Sequence, residues 1–207
     1  ETESMSFESQ IAGMILSTIM EQNETADWQG DTTSANVYIN RYDGLIKTID
    51  AATTAVDGNT SAATAITSGA SGNVDTLIRD ICNARPANVK SAANQVLFVG
   101  QDTFDQYVDT LNAKNLFNVN ATDWANYTMS VVGKNVTLVG VVGLDGTNRM
   151  FLGTQENFVL GFDLQNDEEE FDMWYEKKDD KVYYRVKFKR GLQVAYPTEV
   201  VEFTLVP

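Results

Sequence analysis

Apolar positions near the start of the chain recur at helical spacing. Phe7, Ile11, Met14, Ile15, Thr18 and Ile19 share one stripe and predict an amphipathic helix over residues 6–21. Gly13 weakens its middle, since glycine costs about 1 kcal/mol against alanine in a helix interior. Residues 23–36 are polar and rich in Thr, Asp and Gly, which predicts a loop pinned by one buried aromatic, Trp28. Asp43 is placed to cap a second, short helix whose buried side is Leu45, Ile46 and Ile49. Residues 51–71 are almost wholly Ala, Thr, Ser, Gly, Asn and Asp, with Val56 and Ile66 as the larger apolar groups. That predicts a long surface loop or a short edge ribbon. A third helix follows, with Val74, Leu77, Ile78, Ile81 and Cys82 on one stripe, and it stops ahead of Pro86 because proline disfavours helix in the preceding residue.

The run Gln95-Val-Leu-Phe-Val99, closed by Gly100, predicts a buried strand. Asp102 then caps a helix with Phe104, Tyr107, Val108 and Leu111 on its buried face, and Lys114 sits near the carbonyl end, where a cation is favoured. Beyond it, Val131-Val132 and residues 136–142 and 150–152 are β-branched or apolar. They are separated by Gly133-Lys-Asn and Leu144-Asp-Gly-Thr-Asn, which predicts short strands joined by tight turns. In the last segment Phe171, Met173 and Tyr175 alternate with Asp172, Trp174 and Glu176. Val182, Tyr184, Val186 and Phe188 alternate in turn with Tyr183, Arg185, Lys187 and Lys189, and residues 177–181 form the turn of an antiparallel hairpin. Gly191 bends the second strand, and a closing strand over residues 200–205 follows Pro197. Helices lead and strands finish, so the pattern predicts an α+β fold rather than a doubly wound parallel sheet. No repeat of 20 to 50 residues is evident.

Composition narrows the function classes. With 207 residues, 43% of them hydrophobic, a packed core is available. Lys plus Arg number 15 and Asp plus Glu 29, a formal net charge of −14, which argues against nucleic-acid recognition because that binding draws on basic patches. Histidine is absent, which removes Ser-His-Asp and Cys-His centres, histidine zinc sites and histidine pH switches. Cys82 is the only cysteine, so no disulfide closes within the chain. Residues 11–20 are apolar for about ten positions, short of the ~20 that cross a bilayer. The chain opens on Glu1 rather than Met, as expected of a trimmed, processed or partly observed chain, and no signal-peptide pattern stands at its start.

Candidate chemistry is sparse. Asp163, Asp167, Glu168, Glu169, Glu170 and Asp172 form the densest acidic cluster, but they lack the spaced ligands and internal glycine of a calcium loop, so a solvated turn is expected and no metal or cofactor. Two of these carboxylates working as acid and base on a sugar finds no further support. The tract Lys187-Phe-Lys189-Arg190 is basic around an aromatic yet too short for nucleic acid. Its expected use is to meet an acidic surface, with the Asp163 and Asp167 to Glu170 cluster of a neighbouring copy as the candidate. Five Asn-X-Ser/Thr triplets, at Asn23, Asn59, Asn120, Asn126 and Asn135, are attributed to composition. Gly140, Gly143, Gly146 and Gly153 do not make a phosphate loop and are expected in turns. No feature points to an enzyme.

Three blocks together resemble the HK97-fold major capsid proteins of tailed bacteriophages, especially those of Bacteroidetes phages and prophages. The first is Trp28-Gln-Gly30 with Tyr42-Asp-Gly-Leu-Ile46. The second is Val96-Leu-Phe-Val-Gly-Gln-Asp-Thr-Phe104. The third runs from Asn157-Phe-Val-Leu-Gly-Phe-Asp-Leu164 through Asn166-Asp167 and the paired strands to Phe188-Lys-Arg-Gly-Leu-Gln-Val194 and Pro197. The resemblance implies a structural subunit, not an enzyme, that associates with copies of itself into pentamers and hexamers around double-stranded DNA. It also implies scaffold and portal proteins as further partners, no membrane partner, and residence in the virion capsid after assembly in the host cytoplasm. Residues 73–153 would form an axial domain, residues 1–72 the helices and connecting loop of a peripheral domain, and residues 154–207 the strands that return to it. Typical members carry an amino-terminal arm and an extended loop that are missing or shortened here. The competing reading is an acidic, β-rich carbohydrate-binding or adhesion module, in which Trp124, Tyr127, Trp174 or Tyr183 stacks on sugar rings.

Overall fold

The computed structural model describes residues 7–116, 126–162, 170–178, 180–187 and 189–207. Helix α1 spans Phe7–Gln29, α2 Leu45–Ala52, α3 Val74–Ala84, α4 Ala87–Lys90 and α5 Gln101–Ala113. Strands β1 (Val56–Asp57), β2 (Gln95–Gly100), β3 (Thr128–Ser130), β4 (Thr137–Val141), β5 (Met150–Thr154) and β10 (Val201–Phe203) form one mixed sheet in the order β1-β10-β5-β2-β4-β3. Two smaller ribbons complete the described residues: β6 (Phe158–Phe162) with β9 (Arg190–Val194), and β7 (Glu170–Glu176) with β8 (Lys181–Lys187). The architecture is α+β.

The central sheet separates two cores, and the period of two along each strand decides which residue enters which. Leu97 and Val99 of β2, Met150 and Leu152 of β5, and Val201 and Phe203 of β10 face α3 and α5, where they meet Leu77, Ile78, Ile81, Phe104 and Leu111. Phe98 and Phe151, at the intervening positions, face the other way and join Trp28, Leu45, Ile49, Leu144 and Val200. Trp28 packs on Phe98 and Phe151 at ring separations of 5.2 and 6.0 Å. Cys82 is fully buried, as its place on the α3 stripe requires.

Several expectations need correction. Helix α1 continues through residues 23–29, where a loop was expected: Asn23, Ala26, Asp27 and Trp28 are the buried residues of the helix, while none of residues 10–22 with described exposure is buried. Composition hid this, because the polar side chains of that stretch are satisfied by distant partners. The N-cap of α2 is Gly44, not Asp43, whose carboxylate instead accepts the Thr32 N–H and hydroxyl at 2.9 and 2.8 Å. The N-cap of α5 is Gly100, and Asp145 arrives from the β4–β5 connection to accept the Gln101 N–H, while Asp102 accepts the Gly146 N–H at 3.0 Å. β4 and β5 are not a hairpin, since β2 lies between them, parallel to β4 and antiparallel to β5. Gly140 and Gly153 sit inside β4 and β5, and Gly143 in a short 3-10 turn; only Gly146, at φ +70°, is a turn glycine of the expected kind. Gly191 lies within β9, a separate strand of the β6 ribbon, rather than at a bend in β8. No described helix is long and apolar enough to cross a membrane.

Candidate assembly surface

The first quoted motif is a crossing of two backbones. The Gly30 N–H donates to Ala26 at 2.8 Å, and the Gly44 N–H donates to Gly30 O at 2.8 Å. A Cβ on Gly44 would lie 2.6 Å from both Gly30 N and Trp28 O, so only glycine permits the approach. The crossing is tied by Lys47, whose ammonium donates to Asp31 at 2.7 Å and Asp43 at 2.8 Å. The lysine bond and the Thr33 hydroxyl and N–H hold the Asp31 carboxyl down to about 2, and Lys47 likewise lowers Asp43.

From this crossing a polar latch reaches the second ribbon. Asp27, in the last turn of α1, accepts the Tyr42 hydroxyl at 2.6 Å and the Arg190 guanidinium at 2.5 Å. Burial pushes the Asp27 carboxyl up against the lowering pull of Tyr42 and Arg190; burial and the bond to Asp27 push the Tyr42 phenol up. Arg190 opens β9, so the latch anchors the base of the β7–β8 hairpin to α1. On the same side of the sheet Arg149 pairs with Asp50 and Glu202 and lies over the Phe151 ring at 5.5 Å, joining α2, β5 and β10. Burial and the neighbouring Asp50 raise the Glu202 carboxyl.

The hairpin pairs only with itself among the described strands. Its register sets Glu170 opposite Lys187, Asp172 opposite Arg185, Trp174 opposite Tyr183 and Glu176 opposite Lys181. The alternate positions oppose Phe171 to Val186, Met173 to Tyr184 and Tyr175 to Val182. Directly opposed residues share a face, so by register Trp174 and Tyr183 lie on one face and Tyr175 and Val182, both exposed, on the other. Trp174 and Tyr183 stack at 5.7 Å, and Trp174 remains 45% exposed.

Of the expected interface residues, Asp163, Asp167, Glu168 and Glu169 lie outside the described residues, as does Trp124. Glu170 heads β7 across from Lys187 of its own hairpin, Lys189 is exposed between β8 and β9, and Arg190 is engaged with Asp27. Tyr127 is half-buried and packs edge-on against Phe104 at 5.5 Å. Asn23 and Asn59, the first residues of two glycosylation-like triplets, are buried. The Asn23 amide oxygen accepts from Arg41, and the Asn59 amide nitrogen donates to Ala63 and Thr204. The Asp27–Tyr42–Arg190 latch was not visible in the sequence, since its members are up to 163 positions apart and none belongs to a local pattern.

No family model matches the chain, and none of the curated proteins does. Solved structures do. A chain of the satellite phage P4 procapsid, a particle that includes the size-determination (Sid) protein, superposes with a TM-score of 0.62 at 15% identity, covering 97% of this chain and 64% of that one. The capsid of an empty GTA particle, computed with C5 symmetry, gives 0.65 at 9% identity over 100% of this chain and 69% of that one. The capsid of the native GTA particle gives 0.61 at 10% identity. This chain thus spans about two thirds of the length of the capsid chains it matches, and its α+β architecture is the HK97-like capsid fold.

Proposed function

We propose that this chain is a capsid subunit of a tailed bacteriophage or prophage of the Bacteroidetes type, self-associating into pentamers and hexamers that enclose double-stranded DNA. The observation that carries the reading is the match of nearly the whole chain to capsid chains from assembled particles, one of them computed with five-fold symmetry. The chemistry agrees with a structural rather than a catalytic role. The strongest charged groupings, around Asp31, Asp27 and Arg149, tie elements of the chain to one another. A net charge of −14 suits a container that must not adhere to the DNA within it. In this reading residues 73–153 form the axial domain, residues 1–72 the helices and connecting loop of the peripheral domain, and residues 154–207 the strands that return to it. Scaffold and portal proteins are its further partners, during assembly in the host cytoplasm before residence in the virion.

At the base of the hairpin, Lys187 and Lys189 meet the acidic stretch Asp163, Asp167, Glu168, Glu169 and Glu170 of a neighbour, with Arg190 holding the base in place through Asp27. Negative-stain microscopy with light scattering at rising concentration tests the function: rings of five or six copies are expected, and a chain that stays monomeric throughout while binding a saccharide overturns it. Reversing Lys187 and Lys189 to Glu weakens association in low salt, where exposed charges are least screened. An unchanged assembly curve removes that contact.

A further inference from the structure

One rung of the β6–β9 ribbon has no side chain on either strand. Gly161 lies directly opposite Gly191, between the Leu160–Leu192 and Phe162–Arg190 pairs. Neither backbone conformation nor crowding calls for glycine at these two positions. Neither has a positive φ; among the described residues a Cβ on Gly191 would meet nothing within 4 Å, and one on Gly161 would meet only Gly191 O at 3.6 Å, an ordinary contact. What the pair takes away is stiffness, because contact between opposed side chains is what stabilises a ribbon and glycine leaves the backbone most free.

The two sides of this rung are held by different means. Toward the body, Val194 is buried in the second core, Phe158 and Leu192 pack against it, and the buried Asn157 side chain bonds the Tyr196 N–H and carbonyl. Away from the body, the first position on the same face as Leu192 is Arg190, and its guanidinium donates to Asp27. The receiving carboxylate is set in advance: Asp27 is buried in the last turn of α1, and the Tyr42 hydroxyl donates to its other oxygen at 2.6 Å. We propose that Gly161 and Gly191 form a pivot and the Asp27–Tyr42–Arg190 cluster its latch, so that the β7–β8 hairpin is an arm held to α1 that swings about the glycine rung once Arg190 leaves Asp27. A few residues that absorb a change in φ and ψ are enough for such a hinge. The arm carries the exposed Trp174, Tyr175 and Val182, so its angle decides where they are presented. The device belongs to the single chain and is independent of the assembly proposed above.

Spin labels on Asp105→Cys in α5 and Lys178→Cys at the hairpin tip, both exposed sites, read the arm's position as a distance distribution, and the buried Cys82 stays out of the labelling. The latched chain gives one narrow distribution. Arg190→Gln widens it about two-fold, and Asp27→Asn, which keeps an acceptor for Tyr42, widens it in the same way. Adding Gly161→Val with Gly191→Val to Arg190→Gln returns the latched width, since a β-branched pair stiffens the rung. A parent chain as wide as the Arg190→Gln variant overturns the latch, and a width that the valines leave unchanged overturns the pivot. Loss of the folded circular-dichroism signal in both single variants would make the contact part of the core and overturns the proposal as well.

Discussion

The sheet body and the β7–β8 hairpin are held by different means. In the body, buried side chains fill two cores on either side of six strands, and Asp75, Arg149 and Asp27 beside them are ion-paired within the chain. In the hairpin, two strands pair with each other and expose aromatic and aliphatic residues on a ribbon that is marginal on its own in water. The α1 residues before Asn23 resemble the hairpin in this respect, whereas those after it belong to the body. A region that invests its apolar surface internally is built to fold, and one that leaves it outside is built to be covered. In the proposed capsid role, the surface that meets a neighbour is expected where the body ends.

The largest effect that sharpens this contrast is expected inside the body. Phe151→Ala empties the stack between Trp28 and Arg149 and should cost about 3–5 kcal/mol in denaturant unfolding; a cost under about 1 kcal/mol would mean that the second core does not carry the fold. Next is the latch between the two regions. Asp27→Ala removes the acceptor that Tyr42 and Arg190 share and should cost about 2–4 kcal/mol. Asp27→Asn should cost less, because its amide oxygen still accepts from the Tyr42 hydroxyl. Trp174→Ala, on the hairpin, should change unfolding by no more than about 0.5 kcal/mol. A loss above about 2 kcal/mol would merge the hairpin into the cooperative body and break the comparison.

The smallest effect is acid-dependent. The Asp31 carboxyl is held at about 2 in the folded chain against 3.8 ordinarily, so its stabilisation is fully present above about 4 and is lost as the pH falls through 2. Lys47→Met should therefore lower stability at pH 5 and do so far less at about pH 1, below the folded titration of Asp31. Asp27 and Glu202 are shifted the other way, so their protonation favours the folded chain as acid is added, and whole-protein curves sum both signs. The paired comparison at Lys47 isolates the first. An equal difference at both pH values would remove the bridge as its cause.

Much of the body was legible in residue order. The stripe Val74, Leu77, Ile78, Ile81 and Cys82 is buried as α3, the run from Gln95 to Gly100 is a strand, and the alternating segments about residues 177–181 are an antiparallel hairpin as expected. These are local patterns, in which periodicity reports burial directly. The candidate surface was half legible: the basic tract was plain as sequence, but the tie of Arg190 to Asp27 was not, nor was the extension of α1 to Gln29. Both depend on partners far away along the chain. Asn23 and Asp27 look like loop residues until Arg41, Tyr42 and Arg190 are placed beside them.

Sequence by itself determined which segments are helix and which are strand through most of the body, that the chain has no histidine-based chemistry, and that charge is distributed unevenly between its two ends. Tertiary structure alone decided the strand order, with β2 inserted between β4 and β5, and the crossing of Gly30 with Gly44. It also decided which apolar stripe is spent inside: residues 23–28 of α1 are, and residues 10–22 are not. The reason is physical. Periodicity records that a face is apolar, while what covers that face is fixed by contacts between residues distant along the chain, such as Trp28 with Phe98 and Asp27 with Arg190.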